Sequence, residues 1–443
     1  MSEISLVHEH VAASSTERYA VLNCGQLVTL AGPARARRGV LEMRELSIVE
    51  NGGMLIANGL IQYVGFHADI VRHVDRQTKV IDARGCVVTP GFVDAHTHIA
   101  FAGTRANEFE QRLAGSTYQE IAAAGGGILS TVRHTRQATE ETLLATVQHY
   151  AEWFLRTGTT TLEAKSGYGL SLESELKILR VLCALQETLA LRVVPTLLAA
   201  HAVPPEFREN RTAYIALVTN EILPQVVAQH LASYCDVFCD EYAFTLDESR
   251  RILTAAKQAG LGLRIHAEQF SADGAVSMAA QLGATTADHL ECTDARGIAA
   301  MRVAGVQPVL LPASVFCLGR SRYPNARAMI DTGLATILAT DFNPGSSPTT
   351  SMPFVMTLAC QQMKMLPSEA LVSTTINAAY GLNMGNKIGS LEAGKAADFL
   401  IHEFRDYREL AYFAAVPNLP QVFIAGKLRN TAPQTTPTKS IAR

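Results

Sequence analysis

The sequence predicts an α/β protein: a (β/α)8 TIM barrel with a small β-sandwich domain built from the N- and C-terminal segments. Three observations support this prediction. Apolar strand-like segments alternate with helical segments through the middle of the chain, a pattern typical of parallel β/α units. Short strands separated by turn residues occur on both sides of that region. At 443 residues the chain is also too long for one ordinary core, so it should divide into a large and a small domain.

The predicted barrel extends from Pro90 to about Leu366 and contains eight strand candidates. Helical segments between them, such as 141–158 and 247–260, end in glycine, as expected just past a helix C-terminus. Eight such units over roughly 280 residues suit a fold whose usual size is about 250 residues. The strand candidates are 91–101, 159–166, 192–201, 235–244, 262–270, 285–291, 307–314 and 335–345.

The segments that flank the barrel have the pattern of short β-strands. Within residues 19–88, turn signals such as Asn-Gly and Gly-Gly recur about every ten residues. Short strand patterning returns at 387–403 and 419–429, after the barrel. We therefore expect the two ends of the chain to form one small domain. The predicted boundaries are 1–88 for its N-terminal part, 89–384 for the barrel, and 385–443 for its C-terminal part and a polar tail.

Composition excludes several classes of partner. The net charge is −3 with no basic patch or charged tail, which argues against nucleic acid or an anionic membrane surface as the main partner. No stretch approaches the roughly 18 consecutive apolar residues of a membrane span. The eight cysteines are scattered and the N-terminus has no secretory pattern, so we expect reduced thiols in a cytoplasmic protein. A small molecule is the expected substrate.

Polar residues follow the predicted barrel strands, at the end of the barrel where chemistry occurs in this fold. His96 and His98 stand two apart, so their side chains point to the same face of strand one and can reach one ion. Imidazole nitrogens and a carboxylate oxygen suit zinc, iron(II) or manganese. The sequence therefore predicts a metal site at the barrel mouth. Its candidate residues are His96, His98, His201, His266, His289 and Asp341.

Several motifs resemble those of the amidohydrolase superfamily, notably "PGFVDAHTH", "RIHAEQ", "TTADHLE", "LATDFNPG" and "GSLEAGKAADFLI". Longer strings at 101–136, 163–170 and 341–348 resemble the family of imidazolonepropionases within it. This resemblance covers almost the whole chain. It implies hydrolysis of the ring amide of 4-imidazolone-5-propanoate to N-formimino-L-glutamate, in histidine degradation, by a metal-activated water. Homodimers are common among such relatives, so the resemblance also suggests a homodimer.

The resemblance also implies a set of site residues. Its metal ligands fall on His96, His98, His266 and Asp341. No lysine ends strand three or four to bridge two ions, so we expect one divalent metal per chain, Zn2+ with iron as the alternative. The expected catalytic residues are Asp341 as the general base, His289, which orients the nucleophile or polarises the carbonyl, and Gln269. The expected substrate or product contacts are Arg105, Tyr118, Tyr168, His201, Gln269, Asn343, Gly345 and Ser346.

Gln269 distinguishes this chain from superfamily deaminases, which usually carry a glutamate three residues after the histidine ligand of strand five. A glutamine cannot transfer a proton but can hydrogen-bond a ring nitrogen, so we assign it to substrate orientation. Glu268 should point to the other face of the strand, as a structural group. The alternatives are another mononuclear amidohydrolase, either an aminopurine or pyrimidine deaminase or a cyclic amidase, and a non-catalytic barrel that binds a small ligand.

Overall fold

The computed structural model describes residues 17–116, 120, 125–241, 243–417 and 419–429. Tyr118 and the tail 430–443 therefore lie outside the described residues. The strands form two sheets, one from the middle of the chain and one from its two ends. In chain order the strands are β1 Arg18–Val28, β2 Ile48–Ala57, β3 Leu60–Phe66, β4 Lys79–Asp82, β5 Val87–Pro90, β6 Phe92–Asp94, β7 Thr159–Lys165, β8 Arg192–Ala200, β9 Tyr234–Cys239, β10 Gly262–Leu263, β11 His266–Ala267, β12 Thr286–His289, β13 Gln307–Leu310, β14 Ile337–Leu338, β15 Phe399–Ile401, β16 Gln421–Ile424 and β17 Lys427–Leu428.

The helices lie between these strands, mostly within the barrel. Their bounds are Gly39–Glu42, His67–Val71, Ala106–Leu113, Ile128–Gln137, Glu140–Arg156, Leu172–Thr188, Arg211–Leu217, Leu223–Ala228, Leu246–Gln258, Ala275–Leu282, Ala295–Ala304, Pro312–Cys317, Ala326–Asp331, Met352–Met363, Pro367–Ser373, Ile376–Gly381 and Glu409–Tyr412, with a 3-10 turn at Pro205–Phe207 and a π turn at Val218–Ile222. No helix among the described residues is long and apolar enough to cross a membrane.

The middle of the chain forms the barrel that the sequence predicts. Its strands pair in parallel in the order β6-β7-β8-β9-β11-β12-β13-β14, and β10 and β11 are two parts of one strand, both paired with β9. A parallel bridge between Thr97 and Phe342 joins the first and last strands. The amide of His98 donates to the Phe342 carbonyl at 2.9 Å across the same seam. Eight strand positions around a closed sheet confirm the predicted fold class.

Local chemistry explains why the barrel helices begin and end where they do. Thr139 accepts a hydrogen bond from the amide of Thr142 at the start of Glu140–Arg156. Thr245 and Glu248 form a capping box at the start of Leu246–Gln258. Gly158 and Gly260, just past these helices, have φ of 99° and 86°. This left-handed backbone favours glycine, as the sequence predicted for both helix ends.

The two ends of the chain form one mixed sheet, which packs as a separate sandwich-like domain. Strand β15 pairs antiparallel with β5, Phe399 opposite Pro90, so the C-terminal segment is joined to the N-terminal one. The rings of Phe399 and Phe423 stack with centroids 4.4 Å apart. Val21, Leu27 and other apolar side chains complete its core. The predicted composite domain is confirmed, and its boundaries at 88/89 and 384/385 stay predictions. All eight cysteines lie within the described residues and are free.

Candidate metal centre and active site

Four side chains converge at the carboxyl ends of the barrel strands, and all four are buried. His96 and His98 follow β6, His266 lies in β11, and Asp341 follows β14. The Nε2 atom of His98 lies 3.3 Å from Nε2 of His96 and 3.3 Å from Nε2 of His266. Asp341 Oδ1 lies 3.4 Å from the His98 Nε2 atom and 3.6 Å from that of His96. Three nitrogens and one oxygen therefore face a common point.

These separations fit a divalent ion. Ligands at 2.0–2.1 Å from a tetrahedral zinc lie about 3.3 Å from one another, close to the observed distances. The chemistry of the donors agrees with the distances. His96 and His266 each present Nδ1 to a carboxylate, so Nδ1 carries the proton and the Nε2 lone pair faces inward. Lone pairs that face one another repel unless a cation lies among them, so the residues present fit a bound metal.

Two buried aspartates orient two of these imidazoles. Asp288 Oδ2 accepts from Nδ1 of His96 at 2.6 Å, and Asp236 Oδ1 accepts from Nδ1 of His266 at 3.2 Å. Such carboxylate–histidine pairs select the tautomer and the ring orientation that a metal ligand needs. Burial, and then the nearby Lys165 ammonium, hold the pKa of His96 well below its ordinary value, so this imidazole is neutral.

A charged network lies beneath the two aspartates and has no exposure to solvent. Lys165 Nζ lies 2.8 Å from Glu163 Oε1 and 2.8 Å from Asp236 Oδ2. Arg264 Nη2 donates to the Ala95 carbonyl at 2.7 Å and lies 3.6 Å from Asp288 Oδ2. Burial disfavours the ammonium of Lys165, but Asp236 and Glu163 outweigh burial, so its pKa is raised and it stays protonated.

His289 lies beside the ligand group, at the end of β12. Its ring centroid is 5.8 Å from that of His96 and 5.3 Å from that of His266. Nδ1 of His289 lies 3.4 Å from Glu291 Oε1. Burial opposes protonation of His289, but the Glu291 carboxylate outweighs it and raises the pKa. The Glu291 carboxylate thus orients His289 at the edge of the ligand cluster.

Three residues at the strand ends have left-handed backbone. His289 has φ of 79°, Asp341 of 55° and Glu268 of 53°. Non-glycine residues rarely adopt this region, and such strain concentrates at functional sites. The turns direct the side chains of His289 and Asp341 into the mouth, whereas Glu268 turns away and accepts from the amide of Val276 at 3.3 Å. Burial raises the pKa of Glu268.

His201 and Tyr168 form one wall of the site. The His201 ring stacks on His98 with centroids 5.0 Å apart, and Tyr168 lies 5.3 Å from His201. Nδ1 of His201 donates to the Gly167 carbonyl at 3.1 Å, which leaves Nε2 as an acceptor. Burial holds the pKa of His201 well below its ordinary value and raises that of Tyr168.

Arg105 reaches the opposite wall, formed by the loop after Asp341. Its Nε donates to Glu108 Oε2 at 2.7 Å, which leaves the Nη atoms directed at the loop. A Cβ placed on Gly345 would lie 2.1 Å from Arg105 Nη1, so only glycine leaves room for this guanidinium. Asn343 Oδ1 accepts from the amides of Gly345 and Ser346 at 2.8 and 2.7 Å. The Asn343 side chain therefore shapes this loop.

Gln269 is held through its backbone. Its amide donates to Asp240 Oδ2 at 3.1 Å, as does that of Phe270 at 3.0 Å. Within the described part of the chain, no protein group hydrogen-bonds the side-chain amide of Gln269, which leaves that amide free to meet a ligand.

The structure brings the five histidines, Asp341 and Tyr168 together, and it places Arg105 against the loop that holds Asn343, Gly345 and Ser346. The roles of all these residues and of Gln269 stay predictions, and Tyr118 lies outside the described residues. The buried charges beneath the ligands were not predicted from the sequence. A signal was present, since charged residues interrupt apolar strands in "TLEAK", "CDVF" and "RIHA". The missed residues are Glu163, Lys165, Asp236, Arg264, Asp288 and Glu291.

Comparison with known proteins agrees with this architecture. The model of the amidohydrolase family matches residues 87–429. An imidazolonepropionase of Solibacter usitatus is 58% identical over 408 residues, 92% of this chain and 97% of that relative. One of Geobacillus kaustophilus is 45% identical, over 91% of this chain and 96% of that relative.

Solved structures resemble the fold at much lower identity. An adenosine deaminase from Xanthomonas campestris with bound zinc has a TM-score of 0.68 and 18% identity, covering 93% of this chain and 92% of that one. Guanine deaminase of E. coli has a TM-score of 0.69 and 16% identity, covering 94% and 99%. At such low identity the likeness shows the fold alone. The two imidazolonepropionases, in contrast, share about half of their residues with this chain over nine-tenths of its length. The chain belongs to the amidohydrolase family and, within it, to the imidazolonepropionases.

Proposed function

We propose that this protein hydrolyses the ring amide of 4-imidazolone-5-propanoate to N-formimino-L-glutamate. The observation that carries the proposal is the convergence of three histidine nitrogens and the Asp341 carboxylate at the barrel mouth, in a chain of this family. The substrate is a planar cyclic amide with a carboxylate tail. The site offers a nucleophile-generating centre, a proton acceptor, a hydrogen-bond donor and a guanidinium, which are the groups that such a reaction needs.

One divalent ion per chain would be held by His96, His98, His266 and Asp341. Zn2+ is the ion we propose, with iron as the alternative, because imidazole and carboxylate ligands suit both. When bound, the ion lowers the pKa of water to about 7 and so supplies a nucleophile at neutral pH. Lys165 is a poor bridging ligand for a second ion because its Nζ lies between two carboxylates.

Asp341 and His289 carry the proton transfers. The Asp341 carboxylate accepts the proton of the attacking water and returns it to the ring nitrogen as the amide bond breaks. Burial would raise the pKa of Asp341, but the hydrogen bond with His98 lowers it, so the carboxylate is ionised and ready to accept. His289, held by Glu291, donates a hydrogen bond to the carbonyl oxygen as negative charge develops there.

The remaining residues bind and orient the substrate. Arg105 pairs with the carboxylate tail, because a guanidinium matches a carboxylate in two parallel hydrogen bonds. Nε2 of His201 accepts a ring N–H, and the free amide of Gln269 meets the ring. We also assign substrate or product contacts to Tyr118, Tyr168, Asn343, Gly345 and Ser346. A homodimer and a cytoplasmic location stay predictions.

The test is hydrolysis of freshly generated 4-imidazolone-5-propanoate, followed by loss of its ultraviolet absorbance and by an assay for N-formimino-L-glutamate. We expect rapid turnover by metal-loaded protein and loss of activity in Asp341→Ala. Asp406→Ala is the matched control, because that half-buried carboxylate lies in the segment after β15 and bonds Arg408 rather than a site residue. No acceleration by metal-loaded protein would overturn the substrate assignment. Turnover of an aminopurine or another cyclic amide instead would favour a different amidohydrolase activity.

A further inference from the structure

We propose that Lys165 is a positioning residue for the metal centre, a role that rests on the metal site proposed above. Lys165 does not touch a candidate ligand directly. Its ammonium lies at the centre of three buried carboxylates, 2.8 Å from Glu163, 2.8 Å from Asp236 and 3.9 Å from Asp288.

Each of the three carboxylates also contacts the ligand-bearing backbone or a ligand ring. Asp236 accepts from Nδ1 of His266, and Asp288 from Nδ1 of His96. Glu163 Oε2 accepts from the amide of Thr97, the residue between His96 and His98, at 3.2 Å. One ammonium thus holds the supports of all three imidazole ligands in a single buried cluster.

The backbone of Lys165 contributes to the same alignment. Its amide donates to the Thr97 carbonyl at 3.0 Å, and the Thr97 hydroxyl donates to the Glu163 carbonyl at 2.7 Å. Strand β7 therefore contacts the segment that carries His96 and His98 at two points, Glu163 and Lys165. Loss of the ammonium would remove the cation beside Asp236 and leave Asp288 with Arg264 alone, so the hold of these carboxylates on the imidazoles would weaken.

Coulomb attraction alone predicts the opposite effect. A buried cation near a divalent ion opposes metal binding, so its removal should tighten binding. Positioning predicts weaker binding, because losing the groups that orient metal ligands typically lowers affinity 10- to 100-fold. The sign of the change in metal affinity distinguishes the two effects in Lys165→Met, and a variant that keeps the net charge tests positioning alone.

The test compares Lys165→Met, Glu163→Gln and the double variant Glu163→Gln/Lys165→Met with the wild-type protein. The double variant keeps the net charge of the cluster, so that it should fold where the single lysine variant leaves carboxylates uncompensated. Zn2+ affinity is measured by chelator competition, and site geometry by the visible spectrum of the Co2+-loaded protein. Circular dichroism and the thermal midpoint of the metal-free protein report whether each variant is folded.

We expect roughly 10- to 100-fold weaker Zn2+ binding and an altered Co2+ spectrum in the double variant. Glu163→Gln, which retains Lys165 and an acceptor for the Thr97 amide, should lose less Zn2+ affinity than the double variant does. Wild-type affinity and an unchanged Co2+ spectrum in the double variant would overturn the role of Lys165. Absence of Zn2+ binding by the wild-type protein would instead overturn the proposed metal site.

Discussion

The buried histidine His402 should make the stability of this protein fall steeply at acidic pH. His402 lies in the segment after β15, and its exposed fraction is 1%. The Thr89 hydroxyl donates to the Pro90 carbonyl and accepts from Nε2 of His402, both at 3.0 Å. The proton therefore resides on Nε2, and Nδ1 is buried with no hydrogen-bond partner among the described residues. Protonation would place a second N–H, and a charge, where nothing accepts it, so burial lowers the pKa of His402 from 6.5 to about 3.

The direction and size of the effect follow from linkage. The folded state has the lower pKa, so the unfolded chain binds the proton first as pH falls. The contribution of neutral His402 to stability is fully present above pH 6.5 and is lost as the pH falls from 6.5 to about 3. Below pH 6.5, each further pH unit costs about 1.4 kcal/mol of stability. His402 alone should therefore lower the free energy of unfolding by about 2 kcal/mol between pH 7.5 and pH 5. The folded pKa lies far below 5, so this loss is determined by the unfolded value.

The assay is chemical denaturation at the two pH values for the wild type and His402→Gln, whose amide can still donate to Thr89. We expect the wild type to lose about 2 kcal/mol more stability than the variant on acidification. His73→Gln, which alters an exposed histidine, is the control and should behave as the wild type does. Equal losses in the wild type and His402→Gln would refute the argument that His402 is buried in its neutral form.

Three further predictions concern the site. Gly345→Ala would displace the Arg105 guanidinium. In steady-state kinetics the KM for 4-imidazolone-5-propanoate should therefore rise roughly tenfold or more, with a smaller change in kcat. An unchanged KM would contradict the proposed contact between Arg105 and the substrate. Glu291→Gln removes the carboxylate that orients His289, so kcat should fall roughly 10- to 100-fold while KM changes little. A kcat equal to that of the wild type would contradict a catalytic role for the His289–Glu291 pair. A chelator should lower the thermal midpoint of unfolding, and excess Zn2+ should restore it. The reason is that an ion at 100 times its Kd stabilises the folded state by about 2.7 kcal/mol. A midpoint that neither chelator nor Zn2+ changes would argue against the metal site.

The fold was predictable because it depends on patterns that are local in sequence. Alternating strands and helices, with glycine after helices such as Glu140–Arg156, predict parallel β/α units without tertiary information. The lengths of the strands were less predictable. The segment 335–345 looks like one long strand, yet regular pairing as β14 is limited to Ile337–Leu338, and beyond it Phe342 forms an isolated bridge with Thr97. The left-handed backbone of Asp341, with φ of 55°, interrupts the strand between them.

The site was predictable only in part, for a different reason. The sequence identifies His96 and His98 because both stand close together on one strand. It does not indicate that Asp288 orients His96, because 192 residues separate them and a lone aspartate beside a histidine has many structural roles. The left-handed backbone of His289 was also not predictable, because it depends on how the end of β12 packs in the folded protein.

The same features explain why a site of this kind should be stabilised by the ion it binds. Glu163, Asp236 and Asp288 face the cations Lys165 and Arg264, and Asp341 adds a further negative charge nearby. A divalent cation offsets this excess of negative charge and separates the inward-facing lone pairs. The strained turns at the strand ends each cost on the order of 1–3 kcal/mol, a cost that the surrounding structure must offset. We therefore expect metal binding to contribute to stability as well as to chemistry, and the chelator experiment measures the first contribution directly.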